Sequence, residues 1–144
     1  MGRATRFVSH AWSYPFADLL AALETHAEKD TVTAYFWIGA AQAMCSRASS
    51  LHGDAAVAAD LFVVNQHSTA QLLQEWWSGA FRQSVVDIGC TVLVLQPWDA
   101  PVPLTRSWCL WEIFSTLDGG AELQIAQSPA QRKAFQDALV SAGL

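Results

Sequence analysis

Apolar, β-branched runs alternate along this chain with stretches of helical periodicity, and a chain patterned in this way has few ways to fold. Thr5 to His10 (TRFVSH) reads as a short strand, and Phe16 to Lys29 follows as an amphipathic helix with Phe16, Leu19, Leu20 and Leu23 on one face. Thr31 to Ile38 is β-branched and aromatic, which predicts a second strand. Ser68 is placed to cap a helix carrying Leu72, Leu73, Trp76 and Ala80, ending near Gly89 and handing over to a strand at 90–95. A Trp-rich helix, a strand near Ala121 to Ala126 and a last helix from about Ser128 to Val140 complete a βαβαβαβα order. Strands that are nearly all apolar, separated by helices, predict an α/β fold: a parallel sheet covered on both faces, in three layers.

The composition supports one folded unit across residues 1–144. Hydrophobic residues make up 52% of the chain and charged ones only 15%, too apolar a balance for disorder. A formal net charge of −5 with only 8 basic residues, scattered along the chain, argues against nucleic acid as a partner. The three cysteines, Cys45, Cys90 and Cys109, form no even-numbered framework, which fits a reducing, cytoplasmic setting. No stretch predicts a signal peptide or a membrane span, and Arg6 breaks the myristoylation pattern that Gly2 would open. One segment interrupts the rhythm. Residues 39–59 are Ala/Ser-rich with weak periodicity, where a connection between elements normally needs only a few residues.

The chemistry concentrates in residues 105 to 113, TRSWCLWEI. At about 100° per residue, a helix starting near Thr105 places Leu110, Ile113, Phe114 and Leu117 on one stripe and Trp108, Trp111, Glu112 and Ser115 on the other. The apolar stripe is the expected core face. Two tryptophans and a carboxylate on the opposite stripe then predict a pocket in which an aromatic wall faces a charge. In a parallel sheet, ligands sit beyond the carboxyl ends of the strands. Ser9, His10, Ala11 and Trp12, the segment from Asp60 to His67, and Pro97 to Arg106 all lead to that edge.

Ser-Trp-Cys-Leu-Trp-Glu-Ile resembles the S-x-W-C-L-x-E-L signature of Toll/interleukin-1 receptor (TIR) domains. Three blocks, Phe7 to Trp12, Tyr35 to Ile38 with Asp60 to His67, and Pro103 to Ile113, resemble an algal and protist TIR-like group and together span most of the chain. The resemblance implies a flavodoxin-like sheet normally of five strands, of which four are visible here, the fifth falling beyond a truncated C-terminus. Removing 39–59 joins YFWI to DLFVVNQHS as in that group, which marks the segment as an insertion or an intron read through in frame. In enzymatic members of the family the matching glutamate catalyses NAD+ glycohydrolysis, a role that falls on Glu112. Trp108 then packs against a ring of the dinucleotide. Ser9, His10, Trp12, Asp60 and Trp111 complete the substrate-binding set, and homotypic TIR–TIR association completes the partners.

Cleaving the bond between nicotinamide and ribose builds positive charge on the sugar, so a well-placed carboxylate is the main requirement. No GxGxxG, P-loop or GxSxG sequence occurs, so NAD+ is expected as a consumed substrate, with no resident cofactor. Cys45, His52, Asp54 and His67 lack compact zinc-ligand spacing, so no metal is expected, and Cys109 falls on the buried side of its helix as an inert core thiol. A phosphate-receiver reading fails because no acidic cluster follows the first strand. The competing reading is a non-enzymatic TIR module that signals by self-association.

Overall fold

The computed structural model describes residues 4–28, 34–38, 79 and 81–143. The described elements are β1 (Arg6–Ser9), α1 (Phe16–Ala27), β2 (Phe36–Ile38), α2 (Arg82–Ile88), β3 (Cys90–Val94), a 3-10 turn (Val102–Thr105), α3 (Ser107–Asp118), β4 (Glu122–Ala126) and α4 (Pro129–Ser141). The strands pair in the order β2-β1-β3-β4, each pair parallel. The fold is α/β with a parallel sheet, as the alternation of apolar runs and helices predicts. The segment 39–59, Asp60 and the predicted helix start at Ser68 lie outside the described residues.

β3 carries the sheet's centre. All five of its residues, Cys90 to Val94, are buried, as expected for a strand flanked on both edges and covered on both faces. Register sends alternate residues to opposite layers. Val8, Phe36, Ile38, Val92, Val94 and Ala126 meet Leu19, Ala22 and Leu23 of α1, whereas Phe7 meets Phe81 and Val85 beside α2, with Trp111 of α3 packed against the same cluster. Gly89, at φ +80, closes α2 and lets the chain turn directly into β3, a backbone state that a side chain would strain.

The predicted face of α1 is buried except at its start: Leu19 and Leu23 are buried together with Ala22 and His26, Leu20 is half-buried, and Phe16 is exposed. His26 Nε2 reaches Gln124 Oε1 on β4 at 2.8 Å, so a polar contact helps to set the rotation of α1 on the sheet. α3 is the larger correction. Its buried residues are Cys109, Ser115 and Thr116, whereas Leu110 (46%), Phe114 (52%) and Leu117 (60%) face solvent and Ile113 is only half-buried. Small inward residues let the helix lie close on β1 and β3; the Thr116 hydroxyl has a partner inside, with Thr91 Oγ1 and Thr116 Oγ1 2.7 Å apart, whereas the Ser115 hydroxyl is buried with no hydrogen-bond partner among the described residues. The bulky apolar stripe is left outward.

Candidate functional site

The carboxyl edge of the sheet is built from three chain segments. β1 ends at Ser9 and the loop after it carries His10, Ala11 and Trp12; the loop after β3 runs from Leu95 through Gln96 into the 3-10 turn; and α3 begins at Ser107. Tyr14 ties the first two together. Its hydroxyl donates to the Gln96 carbonyl and accepts from the Gln96 N–H at 3.2 Å, and its burial raises the phenol to about 12, so it stays a neutral hydrogen-bonding post. Cys109 Sγ contacts the His10 carbonyl oxygen at 3.4 Å and fastens α3 to the same loop.

Glu112 lies on the inward side of α3, contrary to the expected exposed stripe. Ser9 Oγ donates to Glu112 Oε2 at 2.5 Å, across 103 positions of sequence. Ser9 is fully buried, so the carboxyl end of Glu112 reaches down to the end of β1. Burial raises the Glu112 carboxyl to about 7, and the Ser9 hydrogen bond acts against that rise by favouring the charged form. A carboxyl poised near neutrality at the ligand-binding edge of a parallel sheet is a functional-site candidate on physical grounds.

The neighbours of Glu112 are held neutral. The Cys109 thiol is raised to about 11, first by burial and then by the Glu112 charge, so it stays protonated and is a poor nucleophile. His10 is lowered by its own burial. Both Ser9 and His10, expected in the substrate-binding set, are buried beneath the rim.

The tryptophans divide. Trp12 (45%) and Trp108 (44%) are exposed at the rim. Trp111, expected beside them, instead packs against the Phe7–Phe81–Val85 cluster, with its ring 5.6 Å from Phe114. It serves the packing of α3 on α2. Arg106, just before α3, holds its guanidinium 5.8 Å from the Trp12 ring centroid, within cation–π range. Periodicity could not single out this arginine, because the residue lies in extended backbone before the helix begins. Its position directly before the SWCLWEI block was the available signal. Among the described residues no group of three or more His, Cys, Asp or Glu side chains could hold a metal ion, and no helix is long and apolar enough to cross a membrane.

No protein-family model, curated protein or solved structure matches this chain.

Proposed function

We propose that the chain is a TIR-like, flavodoxin-like domain that cleaves NAD+ at the nicotinamide N-glycosidic bond. The observation that carries the reading is the Glu112 carboxyl, partly desolvated and fixed by Ser9 at the carboxyl edge of the sheet. The bond between the pyridinium nitrogen and ribose C1′ breaks, and its electron pair leaves with nicotinamide, which becomes neutral. Positive charge develops on the ribose, and ionised Glu112 stabilises it at short range in a low-dielectric setting. Water then bonds to C1′ and gives up a proton, yielding ADP-ribose; capture by a group of the adenosine moiety would give a cyclic product. Trp12 and Trp108 offer faces for the nicotinamide or adenine ring, and Arg106 offers positive charge to the pyrophosphate. A cytoplasmic setting suits the reduced Cys109 thiol. Incubating the purified chain with NAD+ and measuring released nicotinamide tests the proposal.

A second reading has its own observation. The outward stripe of Leu110, Phe114 and Leu117 is an apolar surface on a single helix, which suits a module working through homotypic association. Absence of nicotinamide release together with concentration-dependent self-association would favour it.

A further inference from the structure

The geometry points to Ser9 as a positioning residue that holds the Glu112 carboxylate in its charged, sugar-facing state and never touches the dinucleotide itself. This inference rests on the proposed NAD+ chemistry for its functional meaning, but its physical content is independent of any substrate.

Three observations carry it. Ser9 is fully buried at the last position of β1, where it pairs with Leu93 in the sheet, so its backbone is fixed by the parallel ladder on the β3 side. Its hydroxyl has one proton, and at 2.5 Å from Oε2 that proton is directed at Glu112. Glu112 is itself fixed from behind, because its carbonyl accepts from Thr116 Oγ1 at 2.7 Å and Thr116 is locked to Thr91 on β3. A carboxylate with one oxygen committed to a buried donor presents the other oxygen in a fixed direction, which is what stabilising a short-lived cation demands.

Among the described residues, the groups around this pair leave the task to Ser9. On β1, Arg6 stands at the amino edge of the sheet, and in the loop that follows, His10 is buried and lowered in pKa; on α3, Cys109 is held as a thiol, and just before it Arg106 lies toward Trp12. The 3-10 turn, Val102 to Thr105, carries no ionisable side chain. On α2, Arg82 is engaged with Asp118 at the far end of α3, and on β3 and β4 the ionisable residues Cys90 and Glu122 stand at the opposite, amino edge of the sheet. Among the described residues, the Ser9 hydroxyl is thus the group bonded directly to the Glu112 carboxylate that favours its ionised form.

The test follows the Glu112 carboxyl carbon by NMR through a pH titration of the full chain, in the parent, Ser9→Ala and Ser9→Thr, with circular dichroism to establish that each folds. Loss of a charge-assisted hydrogen bond should move the Glu112 midpoint upward by about one pH unit or more in Ser9→Ala. Ser9→Thr, which keeps the hydroxyl, should stay near the parent. An unchanged midpoint in folded Ser9→Ala overturns the inference. Where the parent cleaves NAD+, Ser9→Ala should lower kcat at neutral pH, recover toward alkaline pH and leave KM unchanged; a raised KM with an unmoved titration would show that Ser9 binds substrate and overturn the inference. A parent that releases no nicotinamide removes the proposed activity, and the titration still decides whether Ser9 governs Glu112.

Discussion

The hydroxyls of Thr91 on β3 and Thr116 on α3 lie 2.7 Å apart, with both residues fully buried. Thr116 also donates to the Glu112 carbonyl at 2.7 Å, so Thr91 is left to supply the proton between the two threonines. This pair holds the rotation of α3 that turns Glu112 inward. Thr116→Val keeps the shape and deprives the buried Thr91 hydroxyl of its partner, which should cost about 1 to 3 kcal/mol in urea unfolding.

The outward stripe of α3 makes a contrasting prediction. Leu110 is 46% exposed, so Leu110→Ala should lower stability by less than about 1 kcal/mol. Phe7→Ala, at a fully buried position, should cost about 3 to 5 kcal/mol. Denaturant melts of the two variants side by side check the orientation of the helix; a Leu110→Ala loss as large as that of Phe7→Ala would contradict it.

Glu112 makes stability depend on pH in a defined direction. Its folded carboxyl titrates at about 7 against 4.5 when free, so between these values the folded chain binds the extra proton. The contribution is fully present below about pH 4.5 and is lost as pH rises through about 7. At about 1.4 kcal/mol per pH unit this amounts to a loss on the order of 3 kcal/mol. Glu112→Gln should remove that dependence and be more stable than the parent at pH 8, as read from thermal melts across the range. A parent whose stability rises between pH 5 and 7 relative to Glu112→Gln would contradict the burial of the charge.

Gly119 ends α3 in ordinary helical backbone (φ −80), so its requirement is space and not conformation. A Cβ there would stand 2.2 Å from Val86 Cγ2 and 2.9 Å from the Ser115 carbonyl oxygen. Gly119→Ala should therefore destabilise by about 1 to 3 kcal/mol. Adding Val86→Ala should recover part of that loss in a double-mutant cycle, leaving the backbone contact as the remainder.

Much of this architecture was legible in the pattern of residues. The apolar runs at Phe7–Val8 and Cys90–Val94, the Gly89 turn and the final helix near Ser128 are local signals that tertiary packing did not override. The rotation of α3 was not legible, for a physical reason. Hydrophobic periodicity weights Leu110, Phe114 and Leu117 heavily, whereas the inward face is made of a thiol, two hydroxyl-bearing residues and a carboxylate. Such a face is buried by close approach and by hydrogen bonds that join Glu112 and Thr116 to β1 and β3, neither of which a hydropathy pattern registers. The site divides along the same line: Glu112 and Trp108 stand at the predicted edge, while Trp111, which periodicity places on the same stripe, packs against the Phe7–Phe81–Val85 cluster. The Ser9–Glu112 bond spans 103 positions and has no local signature.

Stabilisation of a ribosyl cation by ionised Glu112 is tested by nicotinamide release from NAD+ by the parent and by Glu112→Gln, at concentrations that permit self-association and from about pH 6 to 8. The parent should release nicotinamide at a rate that rises through about pH 7 as the carboxyl ionises. The folded Gln variant, which keeps the shape and loses the charge, should be slower by at least about 100-fold at pH 8. Release by Glu112→Gln at a rate comparable to the parent's, or a folded parent that releases none, would show that Glu112 is not the group that stabilises the cation.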